Sequence, residues 1–484
     1  MTPSVVIVGG GFSGAAMAVQ LARSSTSPLA ITIIEARDTV GPGVAYSTQD
    51  PDHRLNGSVA THLIDPGDPE ALQRWCIAQQ IASRDPEARA ANGQTYLRRA
   101  DFGAFVADTV RAHARMANGT TLGHLSDRAL DIDEHADGFI VRTEAGAAPS
   151  ARLVVVATGN GGARLPPPFA ALRDHRAVIA DPADPARVRA ITPSARVLLI
   201  GAGLTALDIV STLLRNGHRG RITVVSRHGL RPRPQRPPGA ETTGARVQAR
   251  INGDVPPFAA DAVTSLALSR ALRRRIREHQ ASGGDWYEPF DALRDVVWKV
   301  WPRLDADEKK RFLRWLRPWY DVHRFRAPPQ NDAIARDAEA RDALRFVRAR
   351  LCGAHASETT LAVTWIDHDN GSRATETFDA VVNCTGLDPA CGADENPFLA
   401  SLMRKGLLQR DATGVGFAVD LQCRPIGRHE RAHPRLRVIG PPTAGTFGDP
   451  LGTLFIAPQI ARVVPGMLAD LGARVDAAVP NRRT

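Results

Sequence analysis

Cysteine is scarce in this chain and unpaired in its spacing. The five cysteines, Cys76, Cys352, Cys384, Cys391 and Cys423, form no C-x-x-C or C-x4-C pair. That argues against a disulfide scaffold, a structural zinc site and a redox-active disulfide, and no metal is expected. Long apolar runs are also missing. The first apolar stretch is broken by glycine and has no basic leader, so it reads as neither signal peptide nor membrane span. A cytoplasmic protein with no membrane partner is the expectation. The formal net charge is +10, yet there is no basic tail and no nucleic-acid motif, so no nucleic-acid partner is expected. The surplus of arginine reads as attraction for anionic cofactors and substrates. No acid–base dyad is evident.

What is present is an ordinary globular composition, 43% hydrophobic and 23% charged over 484 residues, enough for two or three domains. The chain opens on a β-branched run, Val5 to Val8, followed at once by Gly9-Gly10-Gly11-Phe12-Ser13-Gly14 and an apparent helix from Ala15 to Arg23. This is G-x-G-x-x-G between strand and helix. Gly9 permits the tight turn, Gly11 the approach of a pyrophosphate, and Gly14 close packing of helix on strand. The helix N-terminus offers unpaired N–H groups to phosphate. A second strand, Ile31 to Ile34, ends in Glu35, placed to bind a ribose hydroxyl.

A second unit of the same kind follows. Val197 to Ile200 is a strand, and Gly201-Ala202-Gly203-Leu204-Thr205-Ala206 opens a helix to Arg215. The next strand, Ile222 to Val225, ends in Ser226-Arg227-His228, where an arginine suits the 2′-phosphate of NADP and an acid would favour NAD. Two such units are far more specific than one.

Between them, Gly41 to Thr48 is a glycine-rich loop that either runs along a flavin's pyrophosphate and ribityl chain or is a plain surface loop. Residues 69–80 and 102–114 read as helices, Arg98 and Arg99 as a solvated face, and 125–141 as a β-meander. The apolar strand Leu153 to Val156 runs into Ala157-Thr158-Gly159, and Pro166 to Pro168 is a stiff linker. Residues 231–257 read as a long loop. Residues 262–350 have helical character and hold five of the seven tryptophans, which makes this insertion the expected wall or lid of a substrate site. Strand character resumes at 361–365 and 377–382, ending in Asn383-Cys384-Thr385-Gly386, and a last strand at 436–439 leads into a loop and a terminal helix from Ile456.

These stretches together resemble the two-dinucleotide-binding flavoproteins, over nearly the whole chain. The narrower likeness is in Gly41 to Thr48, His53 to Asn56, Asp285-Trp286, Asp291 to Arg294, and Arg317 to Pro328. Similar proteins carry a histidine near Gln235. The group includes N-hydroxylases of amines and amino acids and Baeyer–Villiger enzymes. The latter carry F-x-G-x-x-x-H-x-x-x-W, of which Phe169 and His175 match while Ala171 and Ile179 do not.

The resemblance implies an α/β fold with two Rossmann-like domains, for FAD and NADPH, and a helical insertion. The expected division is 1–165 for the first part of the FAD domain, 190–375 for the NADP domain with its insertion at 260–350, and 376–484 for the return to the FAD domain. The implied FAD residues are Gly9, Gly11, Phe12, Ser13, Gly14, Glu35, Gly43, Val44, Tyr46, Asn56, Thr158, Gly159 and Gly386. Those implied for NADPH are Gly201, Gly203, Leu204, Thr205, Ser226 and Arg227. The implied activity is that of an NADPH-dependent monooxygenase working through a C4a-hydroperoxyflavin, with molecular oxygen and a small substrate such as an amino acid or other carboxylated amine. Rival readings are Baeyer–Villiger or sulfur oxygenation, an NAD(P)H oxidoreductase without oxygen transfer, and a redox-sensing interaction protein. His323 and Arg324 are the candidate contacts to substrate or nicotinamide, with a structural role for that stretch as the alternative. A homo-oligomer stays open.

Overall fold

The computed structural model describes residues 2–236 and 243–473. Two parallel sheets built to one plan organise it. The first runs Leu436–Val438, Leu153–Val156, Ser4–Val8, Ala30–Ile34, Thr121–Leu125, all parallel. The parallel part of the second runs Val178–Ile179, Ala380–Asn383, Val197–Ile200, Ile222–Ser226, Leu344–Ala356. In each, the strand before the glycine motif sits centrally, between the strand ending in the acid or arginine and a closing strand from later in the chain. Val5 to Ile7 and Val197 to Leu199 are almost wholly buried, because each sheet is covered on both faces, with antiparallel strands contributing to one of them. The chain has the α/β fold of two-dinucleotide-binding flavoproteins, with two Rossmann-like sheets.

Four elements differ from the sequence reading. The expected meander at 125–141 is two structures. Thr121–Leu125 is the outer strand of the first sheet, and the antiparallel unit is Ala129–His135, Gly138–Thr143 and Ser150–Ala151. As a half-covered edge, Thr121–Leu125 carries little of the apolar signal that marks its neighbours. The expected loop at 231–257 contains a helix, Thr243–Asn252, anchored by buried Val247 and by Arg246 and Arg250 on Asp295.

The helical insertion ends at Ala340, not 350, because Leu344–Ala356 is a parallel strand of the second sheet, beside Ile222–Ser226, before it turns antiparallel with Leu361–Asp367. The second sheet also reaches past the expected limits of 190 and 375. Val178–Ile179, Arg373–Phe378 and Ala380–Asn383 all hydrogen-bond within it, and Leu436–Val438 is the strand that returns to the first sheet. The two crossings between sheets pair with each other, Gly161–Ala163 against Leu387–Asp388.

Among the described residues no helix is long and apolar enough to cross a membrane.

Candidate functional site

Both glycine turns open on one continuous cleft of about 2470 Å³, larger than the roughly 300–1,000 Å³ of an ordinary small-molecule pocket. The turns are copies in geometry. Gly9 has φ +104° and Gly201 φ +102°, a region that favours glycine. A Cβ on Gly9 would lie 2.5 Å from Ala157 O, and one on Gly201 2.5 Å from Cys384 O. Gly9 N donates to Ile34 O at 2.9 Å and Gly201 N to Val225 O at 2.8 Å. Gly11 and Gly203 then cap the helices Phe12–Ser24 and Leu204–Arg215 in extended conformation, neither with a side-chain cap. The first-turn N–H groups of both helices are therefore left for a ligand.

Around the first turn, Gly14 packs on Gly9 O, and Gly43 faces Gly11 so closely that a Cβ on Gly43 would stand 2.9 Å from Gly11 Cα. The loop of residues 42–49 lies along the cleft, Val44 being exposed within it. Tyr46 turns inward, 4.8 Å from the Phe102 ring and 6.3 Å from Phe12, and burial pushes its hydroxyl up to about 12. Glu35 accepts from Gly10 N at 2.9 Å and from Arg37 N at 3.1 Å. Its carboxylate is thus fixed at the strand end, on the cleft wall.

Thr158 and Gly159 line the same wall, and Thr158 Oγ1 is buried with no hydrogen-bond partner, an orphan a ligand would satisfy. Gly386 is the counterpart of Gly159 in the second unit, at φ +92° against +75°. Asn56 is not on the cleft wall; its carbonyl receives Gln235 Nε2 at 2.7 Å, a bond that ties two loops.

At the second turn Leu204, Thr205, Ser226, Arg227 and His228 all line the cleft. Arg227 is exposed, and no carboxylate pairs with it among the described residues. Burial, with Arg227, Arg348 and His368 nearby, holds the His228 imidazole below its ordinary range. Arg348 is paired with Asp369 at 3.2 Å, which leaves Arg227 as the unpaired cation at this strand end among the described residues.

Sequence reasoning missed the seam between the two domains. Arg99 is not a solvated face. It pairs with buried Asp208 at 2.5 Å, reaching from the first domain to the helix after the second turn. On that helix Thr212 Oγ1 donates to Asp50 at 2.9 Å and meets His53 Nε2 at 3.3 Å, and Arg215 pairs with Asp52 and Glu87. Asn331, 1% exposed, adds bonds to Asp52 O at 3.1 Å and Ser211 Oγ at 3.0 Å. Asp52 is pushed up to about 6, chiefly by burial.

The Arg317–Arg324 helix and the segment after it also differ from expectation. Arg324 is not free to grip a carboxylate. It is 6% exposed, pairs with Asp449 and Asp321, and stacks over Phe325 with its guanidinium 3.9 Å from the ring centre. Asp449, itself 1% exposed, also holds Arg294 Nε at 3.1 Å and the Tyr320 hydroxyl at 3.1 Å. Nothing in the sequence marked Asp449. Arg326 makes a two-pronged pair with Asp291 at 2.6 and 3.1 Å. His323 does line the cleft; its Nδ1 meets Trp319 O at 2.6 Å, its ring stands edge-on to Trp286 at 4.8 Å, and burial lowers its affinity for a proton.

Phe169 and His175 lie off the cleft. Phe169 is fully buried and His175 Nε2 meets Ser357 O at 2.9 Å, which explains the half-matched fingerprint as packing.

Residues 6–161 match the family model described as FAD-NAD(P)-binding. No curated sequence matches the chain. Among solved structures it is similar to the Kutzneria sp. 744 ornithine N-hydroxylase, at 17% identity over 98% of this chain and 99% of that one, with a TM-score of 0.62. It is similar to the Erwinia amylovora cadaverine monooxygenase of desferrioxamine biosynthesis, at 12% identity over 100% and 98%, TM-score 0.62. A Lactococcus lactis thioredoxin reductase shares 12% identity over 97% and 99%, TM-score 0.51.

Proposed function

We propose that the protein is an FAD-dependent NADPH monooxygenase that N-hydroxylates an amine. The observation that carries this reading is the pair of matched glycine turns opening on one cleft, each with bare helix N–H groups, the first ending in an acid and the second in an unpaired arginine. The site fits the groups. The Gly11–Gly43 approach leaves backbone, not side chain, against a pyrophosphate, and Thr158 Oγ1 awaits a partner. Similarity to N-hydroxylating flavoenzymes supports the reaction type.

In this reading Gly9, Gly11, Phe12, Ser13 and Gly14 hold the FAD pyrophosphate, Glu35 the ribose, and Gly43, Val44, Tyr46, Thr158, Gly159 and Gly386 the rest of the flavin's length. Gly201, Gly203, Leu204 and Thr205 hold the NADPH pyrophosphate, and Ser226 and Arg227 the 2′-phosphate. The bound flavin supplies hydride acceptance and oxygen activation. The balance is R–NH2 + O2 + NADPH + H+ → R–NHOH + NADP+ + H2O. The chain's own work is to fix the two nucleotides relative to each other through the Arg99–Asp208 seam and to keep water out with the aromatic insertion. His323 lines the cleft as a positioning residue, and Arg324 sets the insertion against loop 443–452. NADPH oxidation screened across amines, with detection of hydroxylamine, tests the reading. Amine-dependent hydroxylamine supports it, and NADPH turnover that yields only reduced acceptor contradicts it.

A further inference from the structure

The cleft does not end at the nucleotide motifs. The helix Ser265–Ala281 lines it with one stripe, Leu268, Leu272 and Ile276 beside Ser265, Ser269 and Arg273, spaced by three and four residues. The cleft wall also holds Val300, Trp301, Leu304, Phe312 and Leu313, the last two on the helix Ala306–Trp315 that packs on Ser265–Ala281. This compartment touches the flavin end of the cleft through one loop. Trp301 Nε1 donates to Gly445 O at 2.8 Å, and a Cβ on Gly440 of the same loop would come within 2.5 Å of Ser13 Oγ. Burial sets its direction. Trp301 and Leu304 are 6% and 4% exposed, whereas Arg273 and Arg314 are exposed.

Charge at the mouth is one-sided. No carboxylate pairs with Arg273 or Arg314 among the described residues; Arg314 only stacks on Trp315, 4.8 Å from its ring centre. The insertion contributes one acid to the cleft wall, Asp321, and it is already bonded to Arg324 at 2.8 Å and Arg317 at 3.4 Å. Arg294 and Arg324 share the buried Asp449 carboxylate. The deep part therefore accepts apolar chain, and the mouth accepts an anion and repels a cation.

We infer that the substrate is an apolar-chain amine with an acid at its far end, an ω-amino carboxylate of medium to long chain, not a diamine or a short polar amino acid. The inference rests on the monooxygenase reading for the amine and on the compartment alone for the chain and the acid.

The test uses the FAD-loaded protein and a series from 5-aminopentanoate to 12-aminododecanoate, with NADPH oxidation and hydroxylamine yield as readouts. Calorimetric titration with decanoate, below its micellar concentration, is run alongside. KM should fall about two- to fourfold per added methylene until the compartment is filled. Decanoate should bind, and 1,10-diaminodecane should be the weaker substrate. Leu272→Glu should flatten the length dependence, and the double variant Arg273→Ala/Arg314→Ala should remove the preference for acid over diamine. A flat chain-length series, equal use of the diamine, or no binding of decanoate would overturn the inference. Decanoate binding that responds to Leu272→Glu, with no amine oxygenated, would uphold the compartment and overturn the monooxygenase reading.

Discussion

Arg324 and Asp449 pair across 125 positions of sequence, joining the helix Arg317–Arg324 to the loop between the strand Leu436–Val438 and the helix Thr453–Asp470. Both are buried, and Asp449 also takes Arg294 and Tyr320. Removing Arg324 strips Asp449 of one buried partner and leaves it on Arg294 and Tyr320 alone, a loss of about 1.5–3 kcal/mol for a charge-assisted hydrogen bond. Arg324→Ala should therefore lower the melting temperature and the yield of folded protein before it touches substrate affinity. Differential scanning calorimetry checks this; unchanged melting with a raised KM would return Arg324 to the role of substrate ligand.

Gly11 separates fold from ligand. A Cβ there meets only Gly43 Cα, at 3.4 Å, so the bare protein tolerates alanine. Gly11→Ala should keep the melting temperature of the flavin-free protein and lose most of its bound flavin, because the methyl stands where the pyrophosphate approaches. Full flavin occupancy, read from the visible spectrum, would refute the assignment.

Arg227→Ala should cut the preference for NADPH over NADH about ten- to a hundredfold, the value of a charge-assisted contact of roughly 1.5–3 kcal/mol. Steady-state kinetics with the two coenzymes checks it. An unchanged ratio would shift the phosphate contact to His228 or Arg348.

His62 gives the first domain an acid-sensitive element. Burial lowers its imidazole from 6.5 to about 4, against an opposing bond to Ser58 O at 3.1 Å. Above pH 6.5 the ring is neutral in folded and unfolded chains alike. Below it only the unfolded chain takes up the proton, so stability present above pH 6.5 is lost as pH falls toward 4. The loss should be on the order of 1–3 kcal/mol. Urea unfolding at pH 7 and pH 5 should show a smaller drop for His62→Gln than for the parent chain; equal drops would contradict it.

The two glycine turns, their strands and the Ser226-Arg227 ending were legible because each rests on local backbone needs: a positive φ, a close approach, a β-branched run. The apolar run marked residues 436–439 as a strand, while its return to the first sheet was expected only from the resemblance to two-dinucleotide-binding flavoproteins. The seam was not. Arg99, Asp208 and Asn331 look like any polar surface residues in sequence, and only the packing of one domain on the other buries them. Arg324 misled for the related reason that arginine beside aromatics describes a buried ion cluster as well as a ligand site; Asp449, which decides between them, lies too far along the chain to suggest itself. Thr121–Leu125 was lost in a meander because an edge strand has half the apolar pattern of a central one.

Oxygen transfer is the claim on which the account stands. The direct measurement is incubation of the FAD-loaded protein with NADPH, an ω-amino carboxylate and 18O2, followed by mass spectrometry of the product. The account predicts a hydroxylamine carrying one 18O atom per molecule, formed in step with NADPH consumption. NADPH consumed with all of the 18O recovered as hydrogen peroxide or water, and the amine unchanged, would contradict it.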